Sequence, residues 1–288
     1  MTKCREMQEF RDLWQRAFGD SEQYIDYYFS TKVPRSRKME NRQGEKLCAM
    51  AFFTPYEAVL YGKVISLSYL VGVATEEAFR HQGRMTRILE EGLSWEKEQG
   101  NPLVFLSPAD CAIYQPLGFQ SVYWRKTLRL TGSGEKWCEI LSWQQLSDCQ
   151  KNKVSDLVED ILKKEKFDLR LVHSVPYYEE VQKELQVLGG ALLTFWREEK
   201  PLAVANWICE KGEHEVTEWI GLPEEREHVL QTLQWYIKDE VSIEDTYFLQ
   251  NLQLVDIQWR QQKQPYLMVR MLDASVDVPK RCYINDIT

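Results

Sequence analysis

The chain reads as an α/β protein of two domains, each a mixed, mostly antiparallel sheet flanked by helices. Three observations predict this. The order helix, helix, three strands, helix occurs twice along the 288 residues, which reads as a duplication of fold with little sequence identity retained. A run of small and turn-forming residues, TGSGEKW at 131–137, separates the two passes. Within the first pass PLVFLSP (102–108) is short and continuously apolar, the pattern of a strand buried on both faces. The expected domains are residues 1–132 and 138–288.

Each element has its own signal. Residues 6–18 carry Met7, Phe10, Leu13, Trp14 and Phe18 at helical spacing, and a second helix is expected from Glu22 to Ser30. Pro34 and the polar stretch SRKMENRQGEK interrupt the pattern. Three strand-like segments follow, LCAMAFF, YEAVLY and VISLSYLVGVA, with Tyr61-Gly62 as a tight hairpin between the last two. Residues 83–99 read as a helix whose stripe is Met85, Ile88, Leu89, Gly92 and Leu93; Gly100 and Pro102 end it. A short helix at 110–115 and a strand at 120–130 complete the first pass. In the second, helices at about 143–166 and 175–188 precede strands at GALLTFW, LAVANWI and HEVTEWI, then a helix over 224–238.

Composition narrows the function. Hydrophobic residues make up 44% and charged residues 28%, an ordinary globular balance. No apolar run reaches the roughly 20 residues needed to cross a bilayer, and the N-terminus lacks the apolar core of a signal peptide. Seven cysteines without C-x-x-C spacing suggest reduced thiols and a cytoplasmic protein rather than a disulfide framework. Four scattered histidines argue against a His-based metal site. A net charge of −8 gives no basic footprint for nucleic acid, and would draw cationic small molecules instead.

The chemically informative stretch is VGVATEEAFRHQGRMTRILEEGL (71–93). A strand ends near Thr75, and Arg80-His81-Gln82-Gly83-Arg84-Met85 opens a helix. A helix N-terminus leaves amide N–H groups unpaired and carries partial positive charge, so it suits a pyrophosphate. Gly83 permits close backbone approach, while Arg80, His81 and Arg84 add charge or hydrogen bonds. That segment alone is equally compatible with an ordinary strand–loop–helix turn. The glycines and lysine of Rossmann and Walker sites are missing.

The run Val73-Ala74-Thr75 followed by RHQGRM resembles the signature of the GNAT acetyltransferase superfamily, R/Q-x-x-G-x-G/A after a V-A-T strand, with Met85 at the last small position. The second run, SPADCAIYQPLGF (107–119), together with a degenerate second unit, is similar to the enhanced intracellular survival (Eis) type of tandem GNAT protein. The resemblance covers residues 1–270, with specific motifs in 65–124. Such relatives often carry a sterol-carrier-like domain, for which this chain is expected to be too short. The resemblance implies acetyl-CoA as co-substrate. It places the Val73, Ala74 and Thr75 backbone beside the pantetheine arm, and Arg80, His81, Gln82, Gly83, Arg84, Met85 and Thr86 at the pyrophosphate. It makes Tyr114 the acid that protonates the departing thiolate and Val73 N–H the donor to the thioester oxygen. A phenol near pKa 10 is protonated at neutral pH and available to a thiolate. Neither a metal nor an acyl-enzyme is required.

Other residues have blander readings. Cys111 reads as a small buried hydrophobe, Asp110 as a helix N-cap, and Glu76 and Glu77 as solvated loop carboxylates. In the second pass Glu224, Glu225 and Glu227 stand where phosphate would sit, so that domain is expected to be non-catalytic. Trp196, Trp207, Trp219 and Trp235 are either core or a cation-attracting wall. Carboxylates such as Asp26, Glu57 and Glu76 would line a mouth for a cationic amine. The resemblance also implies a C-terminal carboxylate base, here that of Thr288. Two functions follow: an N-acetyltransferase for a small-molecule or peptide amine by direct attack in a ternary complex, or a non-catalytic acyl-CoA-binding sensor of the same fold. A homo-oligomer is compatible with either.

Overall fold

The computed structural model describes residues 2–244, 247–249, 252, 257–259 and 264–285. In chain order the first part runs α1 (Thr2–Phe18), α2 (Glu22–Thr31), β1 (Arg37–Gln43), β2 (Lys46–Leu60), β3 (Lys63–Thr75), α3 (Arg84–Glu98), β4 (Leu103–Leu106), α4 (Cys111–Tyr114) and β5 (Gln120–Arg125). Then come β6 (Leu128–Leu130), β7 (Glu139–Ser142), α5 (Asp148–Glu165), β8 (Leu169–Leu171) and α6 (Val175–Val187). The last part is β9 (Ala191–Arg197), β10 (Lys200–Glu210), β11 (Glu213–Gly221), α7 (Arg226–Ile237), β12 (Val241–Ile243), β13 (Ile257–Trp259) and β14 (Gln264–Met271). The chain divides into a first unit, residues 1–123 with 265–282, and a second, residues 124–264 with 283–287.

That division differs from boundaries at 132 and 138. In the first unit the strand order is β1-β2-β3-β4-β14-β5, so β14 enters the sheet from far along the chain. In the second it is β7-β9-β10-β11-β12-β6-β13, with β6 drawn from ahead of the expected boundary. The duplication is visible in the pairing. β2 is antiparallel to β1 and β3, and β3 is parallel to β4; β10 is antiparallel to β9 and β11, and β11 is parallel to β12.

β1 departs from the sequence reading, which took its polar residues as a break. It alternates instead between two partners: Lys38 and Arg42 reach Glu6 and Glu9 of α1, while Arg37 stacks on Trp95 of α3. The two segments expected over 47–61 are one strand, β2, running through Pro55. The registered β1 pairs end at Phe53, so the ladder with β1 does not reach Pro55. The hairpin falls where expected, with positive φ at Tyr61 and Gly62 and Leu60 paired to Lys63.

The first unit packs helices on both faces of its sheet. Phe52 meets Phe10, Trp14 and Phe29 from α1 and α2, while Ile88, Leu89 and Leu93 of α3 are buried on the other side. In the second unit Val229, Leu230 and Leu233 of α7 join Trp219, Phe195 and Val216 in one core. Against α5 lies a buried ion pair: Arg170 donates both Nη groups to Glu159 at 2.9 and 2.8 Å, and the His173 N–H donates to the same carboxylate at 2.8 Å.

Candidate functional site

The site grows from a defect in β3. Met50 pairs with Ala74 but Phe52 pairs with Val71, so β3 carries one extra residue and bulges around Gly72 and Val73. Gly72 takes φ +62, and its α-carbon faces the rings of Trp14 and Phe52 with no room for a side chain. On the other edge β3 pairs with β4 only at Ser68–Val104 and Tyr69–Phe105, although β3 runs on to Thr75. Beyond Tyr69 the two parallel strands part. Val73 therefore lies outside the registered pairs on both sides.

Past β3 the loop RHQG turns sharply. His81 and Gly83 both take positive φ, 60° and 72°. Gly83 is the N-cap of α3 and supplies no side-chain cap, so the first-turn amides of α3 stay open. A β-carbon at Gly83 would meet nothing within 4 Å, so the space above this backbone is free for a ligand.

These features line one cavity of about 520 Å³, within the range of small-molecule sites. Its walls include Val73, Ala74, Thr75, Arg80, His81, Gly83, Arg84, Met85 and Thr86. Nine of the expected cofactor residues are thus brought together. Gln82 is the exception: its amide donates to the Ala78 carbonyl at 3.2 Å and accepts from Arg84 Nε, so it braces the loop. Tyr114 also stays out of the lining. It is buried, packs against Phe119, and the neighbouring Ile113 faces the cavity instead. Burial pushes the Tyr114 phenol above its usual pKa. Ala17, Phe18 and Phe79 complete the apolar wall and were not singled out from sequence. Phe18 could have been, since it ends the α1 stripe yet remains 45% exposed.

The charge of the wall is positive. Arg80 Nε donates to the Thr75 carbonyl at 3.3 Å, leaving its two terminal nitrogens without a protein partner among the described residues. Among the described residues no carboxylate lines the cavity. Glu76 pairs with Arg16 at 2.6 Å and Asp26 with Arg11, while Glu57 is exposed on β2; none of the three lines this cavity. Asp110 caps α4 as expected, accepting from Ala112 N–H at 2.9 Å. Cys111 is part-exposed rather than buried, its Sγ 3.7 Å from Ser121 Oγ. Thr288 lies outside the described residues.

The equivalent place in the second unit is closed. The N-cap of α7 is Glu225, which Arg197 grips through both nitrogens and His228 approaches at 3.2 Å. Those hydrogen bonds hold its carboxyl below the ordinary range, so an anion meets negative charge there. Trp196 and Trp219 are core residues, 2% and 1% exposed. Trp207 stacks on His214, and Trp235 is exposed, with Lys136 over its ring. No group of metal-ligating side chains occurs among the described residues, and no helix there is long and apolar enough to cross a membrane.

A bulged strand parting from its parallel neighbour, with an open helix N-terminus beside it, is an arrangement that fits the GNAT fold. Residues 2–122 match the family model of the acetyltransferase (GNAT) domain, and this part of the chain is such a domain. More than nine tenths of the chain is similar in fold to solved structures, one of them described as a tandem GNAT protein. A conserved Enterococcus faecalis V583 protein, given as a probable N-acyltransferase, is 16% identical with a TM-score of 0.72, covering 93% of this chain and 70% of its own. Eis1 from Mycobacterium abscessus is 11% identical, TM-score 0.67, covering 93% and 72%. A tandem GNAT protein from the clavulanic acid biosynthesis pathway is 10% identical, TM-score 0.61, covering 92% and 94%. At these identities the likeness is one of fold. No curated protein matches the chain.

Proposed function

We propose that the protein is an acetyl-CoA-dependent N-acetyltransferase that passes an acetyl group to a primary amine by direct attack in a ternary complex. The observation that carries this reading is the uncapped N-terminus of α3 opening onto a cavity beside the parted strands whose charged lining, among the described residues, is cationic. The residues fit the coenzyme. The free space above Gly83 admits a phosphate, the amides of Gly83 to Thr86 would hold its oxygens, and the unpaired nitrogens of Arg80 would add charge. Val73, Thr75, Met85 and Ile113 offer an apolar channel for the pantetheine arm. The coenzyme supplies an acetyl thioester, whose carbonyl the amine attacks.

The chain's own groups then have two tasks. The Val73 N–H would donate to the carbonyl oxygen as it gains charge; a fixed donor there costs no reorganisation. The Tyr114 phenol would protonate the departing thiolate. Its raised pKa keeps it protonated at neutral pH.

A second reading, an acyl-CoA-binding sensor without turnover, draws on Tyr114 lying off the cavity wall and on the lack of a lining carboxylate among the described residues. Release of free thiol from acetyl-CoA with a panel of amines separates the two. Amine-dependent release supports the transferase; tight acetyl-CoA binding with no release for any amine supports the sensor.

A further inference from the structure

Arg84 is the cation nearest the open helix end by sequence, yet its side chain turns away from the helix axis and across to β1. Nη1 donates to Asn41 Oδ1 at 2.7 Å, Nη2 to Gln43 Oε1 at 2.9 Å and Nε to Gln82 Oε1 at 3.2 Å. Its guanidinium also lies over the Phe79 ring at 4.8 Å, and Lys46 approaches the same ring at 5.0 Å. All three hydrogen-bond acceptors are neutral amides, and among the described residues no carboxylate pairs with Arg84 or Lys46. This matters physically. A carboxylate would orient the arginine equally well but would cancel its charge beside an anion site, whereas an amide oxygen orients it and leaves the charge in place.

The placement follows from β1. Of its even-numbered charges, Lys38 and Arg42 pair with Glu6 and Glu9 of α1, and Glu40 pairs with Arg42 beside it. Its odd-numbered residues run along α3: Arg37 on Trp95, Met39 buried, then Asn41 and Gln43 at Arg84. Two amides thus occupy the end of a strand face that is otherwise apolar or stacked. Neither Asn41 nor Gln43 lines the cavity.

We propose that Asn41 and Gln43 are positioning residues of the acyl-CoA site, holding Arg84 and the Phe79 ring so that the α3 N-terminus keeps its open geometry and an uncancelled positive charge. This rests on the reading of the cavity as an acyl-CoA site. Arg84 then acts as a strut with a field, and the hairpin joining β1 to β2 is part of the coenzyme machinery although no atom of it reaches the cavity.

The test is acetyl-CoA titration by calorimetry on the full chain. Wild-type binding checks the underlying reading, and its absence would remove that reading before the inference is reached. Given binding, the double variant Asn41→Ala/Gln43→Ala should weaken affinity about tenfold, the scale of losing hydrogen bonds to a charged group. Arg84→Ala should cost at least as much, and adding it to the double variant should cost little beyond Arg84→Ala alone. Asn41→Asp/Gln43→Glu separates orientation from charge: it keeps the oxygens, so Arg84 stays in place, but it supplies cancelling charge and should also weaken binding, with the loss growing at low salt. Melting temperature is followed throughout, and only variants melting within a few degrees of wild type count. Unchanged affinity in Asn41→Ala/Gln43→Ala would overturn the proposal. So would full additivity with Arg84→Ala, which would mean that Arg84 meets the ligand independently of the hairpin.

Discussion

The indole of Trp14 lies so close over the backbone of Gly72 that a β-carbon at position 72 would stand 2.4 Å from Cζ3 and 2.9 Å from Phe52 Cδ2. One helix of the first unit is thereby seated directly on the bulge that turns Val73 toward the cavity. Gly72→Ala combines a left-handed backbone with overpacking against two rigid rings and is expected to cost about 3 kcal/mol. Urea unfolding measures it. Trp14→Leu in the same chain should recover part of the loss, and a Gly72→Ala protein of wild-type stability would show that the bulge is soft.

Gly83 has the opposite surroundings, with the same positive φ but open space. Gly83→Ala should therefore lose only about 1 kcal/mol through the backbone. Gly83→Glu places a carboxylate in that space and should weaken acetyl-CoA binding far more than it weakens the fold. Calorimetry and thermal melting on both variants separate these effects; equal affinities for the two would move the phosphate site elsewhere.

Tyr114→Phe removes the hydroxyl and keeps the ring against Phe119. If the phenol protonates the thiolate, kcat should fall roughly 10²-fold, within the general-acid range, with acetyl-CoA affinity preserved. Because burial raises its pKa, the phenol stays protonated across neutral pH. Any loss of activity from its ionisation belongs above the ordinary tyrosine value, and Tyr114→Phe should abolish that alkaline limb. Undiminished turnover would make Tyr114 a packing residue.

The Glu159–Arg170 pair sets a stability limit in acid. Burial acts to raise the carboxyl, but the Arg170 hydrogen bonds and the His173 N–H outweigh it and hold Glu159 below its ordinary pKa. A depressed carboxylate stabilises the fold above its unfolded pKa, and that contribution disappears as pH falls through the folded value. The second unit should thus lose stability below about pH 4. Glu159→Gln leaves Arg170, its side chain 5% exposed, without a counter-charge. That should cost about 3 kcal/mol at neutral pH and flatten the acid limb, as read from chemical denaturation at several pH values.

Acceptor preference tests the charge of the chain as a whole. With a net charge of −8, amines should outperform alcohols, and their KM should rise with salt as attraction is screened beyond about 10 Å at 0.1 M. Deleting residues 286–288 tests a terminal base: full kcat after deletion would assign proton removal to solvent or another side chain.

Much of this was legible from residues, and the exceptions have physical causes. The strand–loop–helix of 71–93 was readable because a positive-φ glycine, basic neighbours and an amphipathic stripe fall together. Gly72 sits inside an apolar strand, where a lone glycine signals a bulge, and that signal was available in VGVA. β1 was missed because its partners are polar on one face and half polar on the other, so period-two hydrophobicity never develops. Tyr114 was located correctly on its short helix, but no sequence pattern reports which way a ring turns within a four-residue helix. β14 was not read as a strand, and the strand expected over 120–130 proves to be β5 and β6 in different sheets, because strand neighbours distant in sequence leave no local trace.

That distant pairing bears on how the protein comes into being. β14 stands between β4 and β5 in the sheet of the first unit, yet it is synthesised only after nearly all of the second unit has left the ribosome. Until then the nascent first unit holds two adjacent strands without the partner between them, bare edges of the kind that invite mispairing or chaperone capture. The unit begun first therefore gains its missing strand only after most of the second unit has been made. A stalled or prematurely terminated message would yield a motif-bearing fragment that carries every residue of the RHQG loop and still lacks a closed sheet to hold it.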